Sequence, residues 1–225
     1  MKKNSVRFSV FGFRRNIVLL AAAWWLLVNL TGCAKKEIKN INSDSSNIIC
    51  FGDSITFGYG AQSGEDYPTV LSKMIQLPVI NAGIDGDITT EALKRIDSDV
   101  LERDPLLVII EFGGNDFLRK IPKEVTVENI KKMVEQVQAK GAMAAIVDIS
   151  AGIFFAEYRA AFSALAKEKK AIFIPRLLSG IITNPQLKSD FLHPNAEGYK
   201  IIAQRIYRII IPCLNQNTIN KRFAR

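Results

Sequence analysis

The 225 residues hold one histidine, in Ser189-Asp190-Phe191-Leu192-His193-Pro194-Asn195. If the chain uses an imidazole as general base, His193 is the residue that does so. Asp190 stands three positions earlier in a segment without helical pattern. That spacing lets its carboxylate reach the Nδ1 side of the ring while Nε2 faces a nucleophile. Asp148 is a second candidate for the carboxylate, and an exposed loop histidine ahead of a Pro-Asn helix start is the plainer use of the same residues. The candidate nucleophile is Ser54, in Gly52-Asp53-Ser54-Ile55-Thr56, where Gly52 permits close backbone approach and both the Ser54 hydroxyl and its N–H would face a reacting carbonyl. Capping of the next helix is the common alternative for Asp53 and Ser54. Two glycine turns follow, Asn81-Ala82-Gly83-Ile84-Asp85-Gly86-Asp87 and Phe112-Gly113-Gly114-Asn115-Asp116. Gly83 reads as turn geometry. A glycine N–H and the neutral Asn115 amide are both suited to a developing oxyanion, because neither donor depends on a protonation equilibrium.

These residues need a scaffold that brings them to one edge. Short apolar, β-branched runs occur at 48–51, 77–80, 106–112, 144–149 and 171–174, and helical patterns lie between them at 67–75, 90–101, 127–139 and 157–169. A last helical pattern runs over 195–211. Strict alternation of apolar strands with amphipathic helices predicts an α/β fold, a single flavodoxin-like three-layer domain around a five-stranded parallel sheet. In such a fold ligands bind outside the carboxyl ends of the strands, where all the candidates above fall. Ile153 and Phe154 after the fourth strand, and Phe117 after the third, are candidates to line an acyl groove, although Phe154 and Phe155 also suit the core face of the next helix.

The order of the four blocks, from Gly52-Asp53-Ser54 to Asp190-x-x-His193, resembles the GDSL, or SGNH, hydrolase family over residues 47–211. The similarity is greatest to its thioesterase I/lysophospholipase and arylesterase branch, through Asn81-Ala82, Gly86-Asp87, Glu111-Phe112-Gly113-Gly114-Asn115-Asp116 and His193-Pro194-Asn195. The resemblance implies a Ser54, His193 and Asp190 triad. It also implies oxyanion donors at the Ser54 N–H, the Gly86 N–H and the Asn115 side chain, an acyl-enzyme intermediate, no cofactor and no metal. The implied substrates are small acyl esters or thioesters, with a carbohydrate O-acetyl ester as the alternative within the family. The Gly-x-Ser-x-Gly elbow of larger α/β-hydrolases is missing, since Thr56 stands at the second glycine position. Readings from other classes are a metal-dependent phosphatase using Asp53, Asp116 and His193, and a non-catalytic binding lipoprotein.

Composition separates the domain from its leader. The chain is 48% hydrophobic and 23% charged, enough to bury a core. Its formal charge is +8, but five of the 30 basic residues precede position 16 with no acid among them. From residue 33 onward the net is +3, so nucleic acid is not expected as a partner. Arg14-Arg15, the uncharged run 17–30 and Leu30-Thr31-Gly32-Cys33 have the order of a secretory signal. As a helix the run would span about 21 Å, short of a bilayer's hydrocarbon core of about 30 Å. Its end resembles a bacterial lipobox. That implies a signal peptide over 1–32, lipidation of Cys33, export and anchoring of the protein to a membrane of the cell envelope. Residues 33–46 read as a flexible tether, 47–214 as the domain and 215–225 as a polar tail. A monomer is the default expectation. Cys50 and Cys213 could pair, although a buried free thiol is the commoner state of a strand cysteine.

Overall fold

A computed structural model describes residues 37–150 and 156–223, with side chains to residue 218. The predicted signal peptide, Cys33, Ile153 and Phe154 lie outside the described residues. Five parallel strands, β1 (Asn47–Gly52), β2 (Val79–Gly83), β3 (Pro105–Glu111), β4 (Met143–Val147) and β5 (Ile172–Ile174), pair in the order β2-β1-β3-β4-β5. The helices are α1 (Ser54–Phe57), α2 (Tyr67–Ile75), α3 (Thr89–Ile96), α4 (Gly114–Leu118), α5 (Lys123–Ala139), α6 (Ala156–Glu168) and α7 (Ala196–Phe223). The fold is the predicted flavodoxin-like α/β class. Because the chain moves outward from β1 to β2 and then returns past β1 to β3, the carboxyl ends of β1 and β3 flank the switch point where a crevice opens.

Strand periodicity divides the core between the two faces of the sheet. Ile48, Cys50, Leu107 and Ile109 face Tyr67 and Leu71 of α2 and Tyr199, Ile202 and Ile206 of α7. Ile49, Phe51, Val108 and Ile110 face Ala92 and Ile96 of α3, Ile130 and Met133 of α5 and Phe162 of α6. All seven residues of β3 are buried, as a central strand covered on both faces requires. α2 begins where the Asp66 side chain accepts from the Thr69 N–H at 2.9 Å, with proline in the first turn. β2 starts two residues later than expected, because Pro78 has no N–H to give the ladder. Asn81, Ala82 and Gly83 therefore belong to the strand.

Two boundaries differ from those read in the sequence. Residues 38–46 are docked on the domain, in contrast to the expected free tether. Ile38 and Ile41 pack against the core, Lys39 N–H donates to Lys170 O at 3.0 Å, and Asn40 Nδ2 donates to Gln138 O and Ala142 O at 2.8 and 2.9 Å. The expected polar tail is the continuation of α7, which runs through Pro212 to Phe223. Its Asn217 side chain is 4% exposed and donates to Ile41 O and Ser43 O at 2.7 and 3.0 Å, so the end of α7 and residues 41–43 hold each other. Cys50 and Cys213 are not joined to each other. Burial pushes the Cys50 thiol far above its ordinary range, which makes it an inert core residue.

Candidate active site

The turn after β1 is built by its own side chains. Asp53 caps α1, its Oδ1 accepting the Ile55 N–H at 3.1 Å, and this sets Ser54 at the first helical position with its side chain on the crevice. Gly83 allows β2 to touch that helix. A Cβ at Gly83 would lie 2.2 Å from Phe57 N, so this glycine serves backbone contact. Its N–H donates to Asn81 Oδ1 at 2.9 Å and is spent.

His193 Nε2 lies 3.1 Å from Ser54 Oγ, and its Nδ1 lies 2.8 Å from Asp190 Oδ2. The other carboxylate oxygen accepts the backbone N–H groups of Leu192 and His193 at 2.7 and 2.8 Å, so the turn itself orients Asp190. Partial burial pushes the Asp190 carboxyl up, but its hydrogen bonds from the His193 ring and from the two N–H groups prevail and hold it down at about 2. Asp148 is elsewhere. Fully buried, it accepts from Arg159 Nε, the Ser150 N–H and the Arg176 N–H, at 2.9, 2.9 and 3.0 Å.

A cavity of about 190 Å³ is lined by Ser54, Asn115 and His193, by the acidic residues Asp53, Asp85 and Glu111, and by the apolar Leu118, Ile149, Leu178, Ile182 and Leu192. Gly86 has φ +74° in the turn that brings Asp85 to the cavity, and Gly86 itself is not among the lining residues. Among the described residues its N–H meets no acceptor, while its carbonyl accepts Arg119 Nη2 at 2.8 Å. Asn115 Nδ2 donates to Asp87 O at 3.0 Å and, at 3.3 Å, to Asp53 Oδ2. Phe117, expected to line an acyl groove, does not line this cavity. It is half exposed and faces Tyr158 across a separate depression, because a helix turns about 100° per residue and α4 offers its neighbour Leu118 to the cavity instead.

Two groups were missed in the sequence. Tyr59 sets its ring 4.4 Å from that of His193, held by a hydrogen bond from Tyr199 Oη to its carbonyl at 2.7 Å. Its place between Gly58 and Gly60 is the signal that marks it, since a Cβ at Gly60 would lie 2.0 Å from Ser189 Oγ in the histidine loop. Glu111 ends β3 inside the cavity floor beside Asp53, and the type of residue alone gives no hint of this. Asp53, Asp116 and His193, the set a metal phosphatase would need, do not converge: Asp116 is buried against Thr89 and Thr126, accepting the Thr89 N–H and hydroxyl and the Thr126 hydroxyl. Among the described residues no group of three His, Cys, Asp or Glu side chains could hold a metal ion.

The sequence profile of the GDSL-like Lipase/Acylhydrolase family matches residues 50–201. The chain is 28% identical to the thioesterase 1/protease 1/lysophospholipase L1 of Escherichia coli, over 77% of this chain and 88% of that one. It is 28% identical to an arylesterase of Vibrio mimicus, over 74% and 89%. Among solved structures, the psychrotrophic esterase EstA of Pseudoalteromonas, in a form inhibited by monoethylphosphonate, superposes with a TM-score of 0.68 at 28% identity, covering 76% of this chain and 99% of that one. With the family profile spanning all four blocks, the chain belongs to the GDSL-like Lipase/Acylhydrolase family and is an ester-bond hydrolase.

Proposed function

We propose that the protein is a serine esterase for small acyl esters or thioesters, working through acylation of Ser54. The observation that carries this reading is the unbroken chain of contacts from Ser54 Oγ through both ring nitrogens of His193 to Asp190. Ser54 Oγ attacks the carbonyl carbon while His193 Nε2 takes the hydroxyl proton. Asp190 holds the other ring nitrogen as N–H and stabilises the imidazolium. The carbonyl oxygen, now an anion, is met by the N–H groups of Ser54 and Gly86 and by Asn115 Nδ2. Collapse expels the alcohol or thiol with the proton from His193, and a water activated by the same ring then releases the acid from Ser54. The apolar residues in the lining of the cavity support an acyl chain over a sugar as the group bound there.

Hydrolysis of a series of p-nitrophenyl esters tests this. Ser54→Ala and His193→Ala each lower kcat by several orders of magnitude with folding intact, and wild-type kcat/KM rises roughly two- to fourfold per added carbon over a short range. Turnover near the wild-type rate in both variants removes the triad, and a profile that peaks at acetate removes the acyl groove. We further propose that Cys33 carries lipid and holds the exported domain at the cell envelope, a reading supported by the residues preceding it.

A further inference from the structure

Beneath Ser54 lies a pair of carboxyl groups with no part in the steps above. Parallel register sets Glu111 of β3 beside Gly52 of β1, and its carboxyl takes up the room a side chain at 52 would need. A Cβ on Gly52 would lie 2.8 Å from Glu111 Oε2 and 2.1 Å from Thr56 Oγ1. Asp53 and Glu111 are 4% and 1% exposed. Their carboxyl groups are neighbours in this buried space, close enough for each to act on the other's ionisation. Two ionised carboxylates repel each other in so buried a site, which favours one proton held by the pair. Thr56 Oγ1 donates to Glu111 Oε2 at 2.9 Å and stands 2.9 Å from the Tyr67 hydroxyl.

Asp53 is also what Asn115 touches. An amide nitrogen has two hydrogens, and in Asn115 both are directed at protein acceptors, Asp87 O at 3.0 Å and Asp53 Oδ2 at 3.3 Å. For the amide to meet an oxyanion one of them must be given up. The longer bond to Asp53 is the one to give up, and its strength depends on how much negative charge Asp53 Oδ2 offers.

We propose that Glu111 is a positioning residue for the reaction: as the neutral acid it donates to Asp53, and by occupying that carboxylate it releases one Asn115 hydrogen to the oxyanion while Asp87 O keeps the amide oriented. The inference rests on the acyl-transfer reading above. Burial is the physical origin of the arrangement. It raises Glu111 well above the ordinary carboxylate range and Asp53 to about 6, against the lowering hydrogen bonds that Thr56 and Ile55 supply. The groups around the pair are Cys50 of β1, Thr56 of α1, Tyr67 of α2, Asp87 after β2, Tyr199 of α7 and His193. Asp87 is neutralised by Arg95 at 2.7 Å, whose guanidinium also donates to Gly52 O at 3.2 Å.

Infrared spectra of the folded wild-type protein at pH 7 carry the C=O band of a protonated carboxylic acid, and Glu111→Gln removes it. In hydrolysis of p-nitrophenyl acetate, Glu111→Leu lowers kcat roughly tenfold to a hundredfold at little-changed KM, a fraction of the loss of one oxyanion donor. Glu111→Gln, whose amide donates to Asp53, restores most of that loss. The proposal is overturned if wild-type protein lacks the band, if the Gln variant is as impaired as the Leu variant, or if a folded Leu variant keeps wild-type kcat. Should Glu111→Leu not fold, the band and the Gln variant still decide. A wild-type chain that has the band and hydrolyses no ester contradicts the acyl-transfer reading, and with it the role of Glu111; that failure is recognised by the absence of turnover in every variant.

Discussion

Ser54, His193 and Asp190 stand within hydrogen-bond distance although 139 residues separate the first two. The lone histidine made one member readable, and the order of the glycine turns made the rest of the set readable. The three-residue spacing to His193 and the order of the blocks favoured Asp190 over Asp148, and packing shows what the sequence did not, that Arg159 holds Asp148. The carboxyl pair was not readable, since a glutamate at a strand end looks like any solvated residue until its burial is seen. That burial has a measurable consequence. A carboxyl raised by folding keeps its proton in the native state while the unfolded chain loses it above about pH 4.5, so its contribution falls as pH rises, by up to about 1.4 kcal/mol per pH unit, until the folded group ionises. Gln has no such loss. Urea unfolding at pH 4.5 and pH 7.5 therefore finds Glu111→Gln gaining stability relative to wild type at the higher pH, and a difference that does not change with pH contradicts the neutral Glu111.

At the scale of elements, the strands and long helices were legible because short continuous apolar runs and amphipathic stretches of period 3.6 report burial directly. The short helices α1 and α4 were not, since four or five residues carry no periodicity. The docking of 38–46 also escaped, because its anchors are Asn40 and Asn217, polar side chains that bond to backbone carbonyls far away in the chain. The contact between β2 and α1 is a backbone constraint on the helix that carries the nucleophile. With the Gly83 α-carbon set against the Thr56 and Phe57 backbone, Gly83→Ala forces β2 and α1 apart. The expected cost is about 1–3 kcal/mol of stability, with a loss in kcat larger than that in KM because Ser54 moves relative to His193. Denaturant melts and ester kinetics on the same preparation check both; a variant as stable and active as wild type shows that the contact relaxes freely.

At the scale of the whole molecule, most of the excess positive charge lies in the first 32 residues, and the remainder carries little net charge of its own. Because Ile38 is already packed on the domain, the five residues from Cys33 reach at most about 18 Å, so lipidation would hold the esterase close to the bilayer surface. Cys33→Ser is expected to leave an unlipidated, unprocessed chain, read by mass spectrometry of the N-terminal peptide from native membranes; an unmodified Cys33 in the mature wild-type protein contradicts the anchor. The central claim, that Ser54 is the acylated nucleophile, is tested most directly by titrating the protein with a fluorophosphonate and following intact mass and ester hydrolysis together. The expected result is one adduct per chain, mapped to Ser54, with activity lost in proportion to labelling and no adduct on Ser54→Ala. Hydrolysis that persists after Ser54 is fully labelled, or an inactivating adduct on another residue, would contradict it.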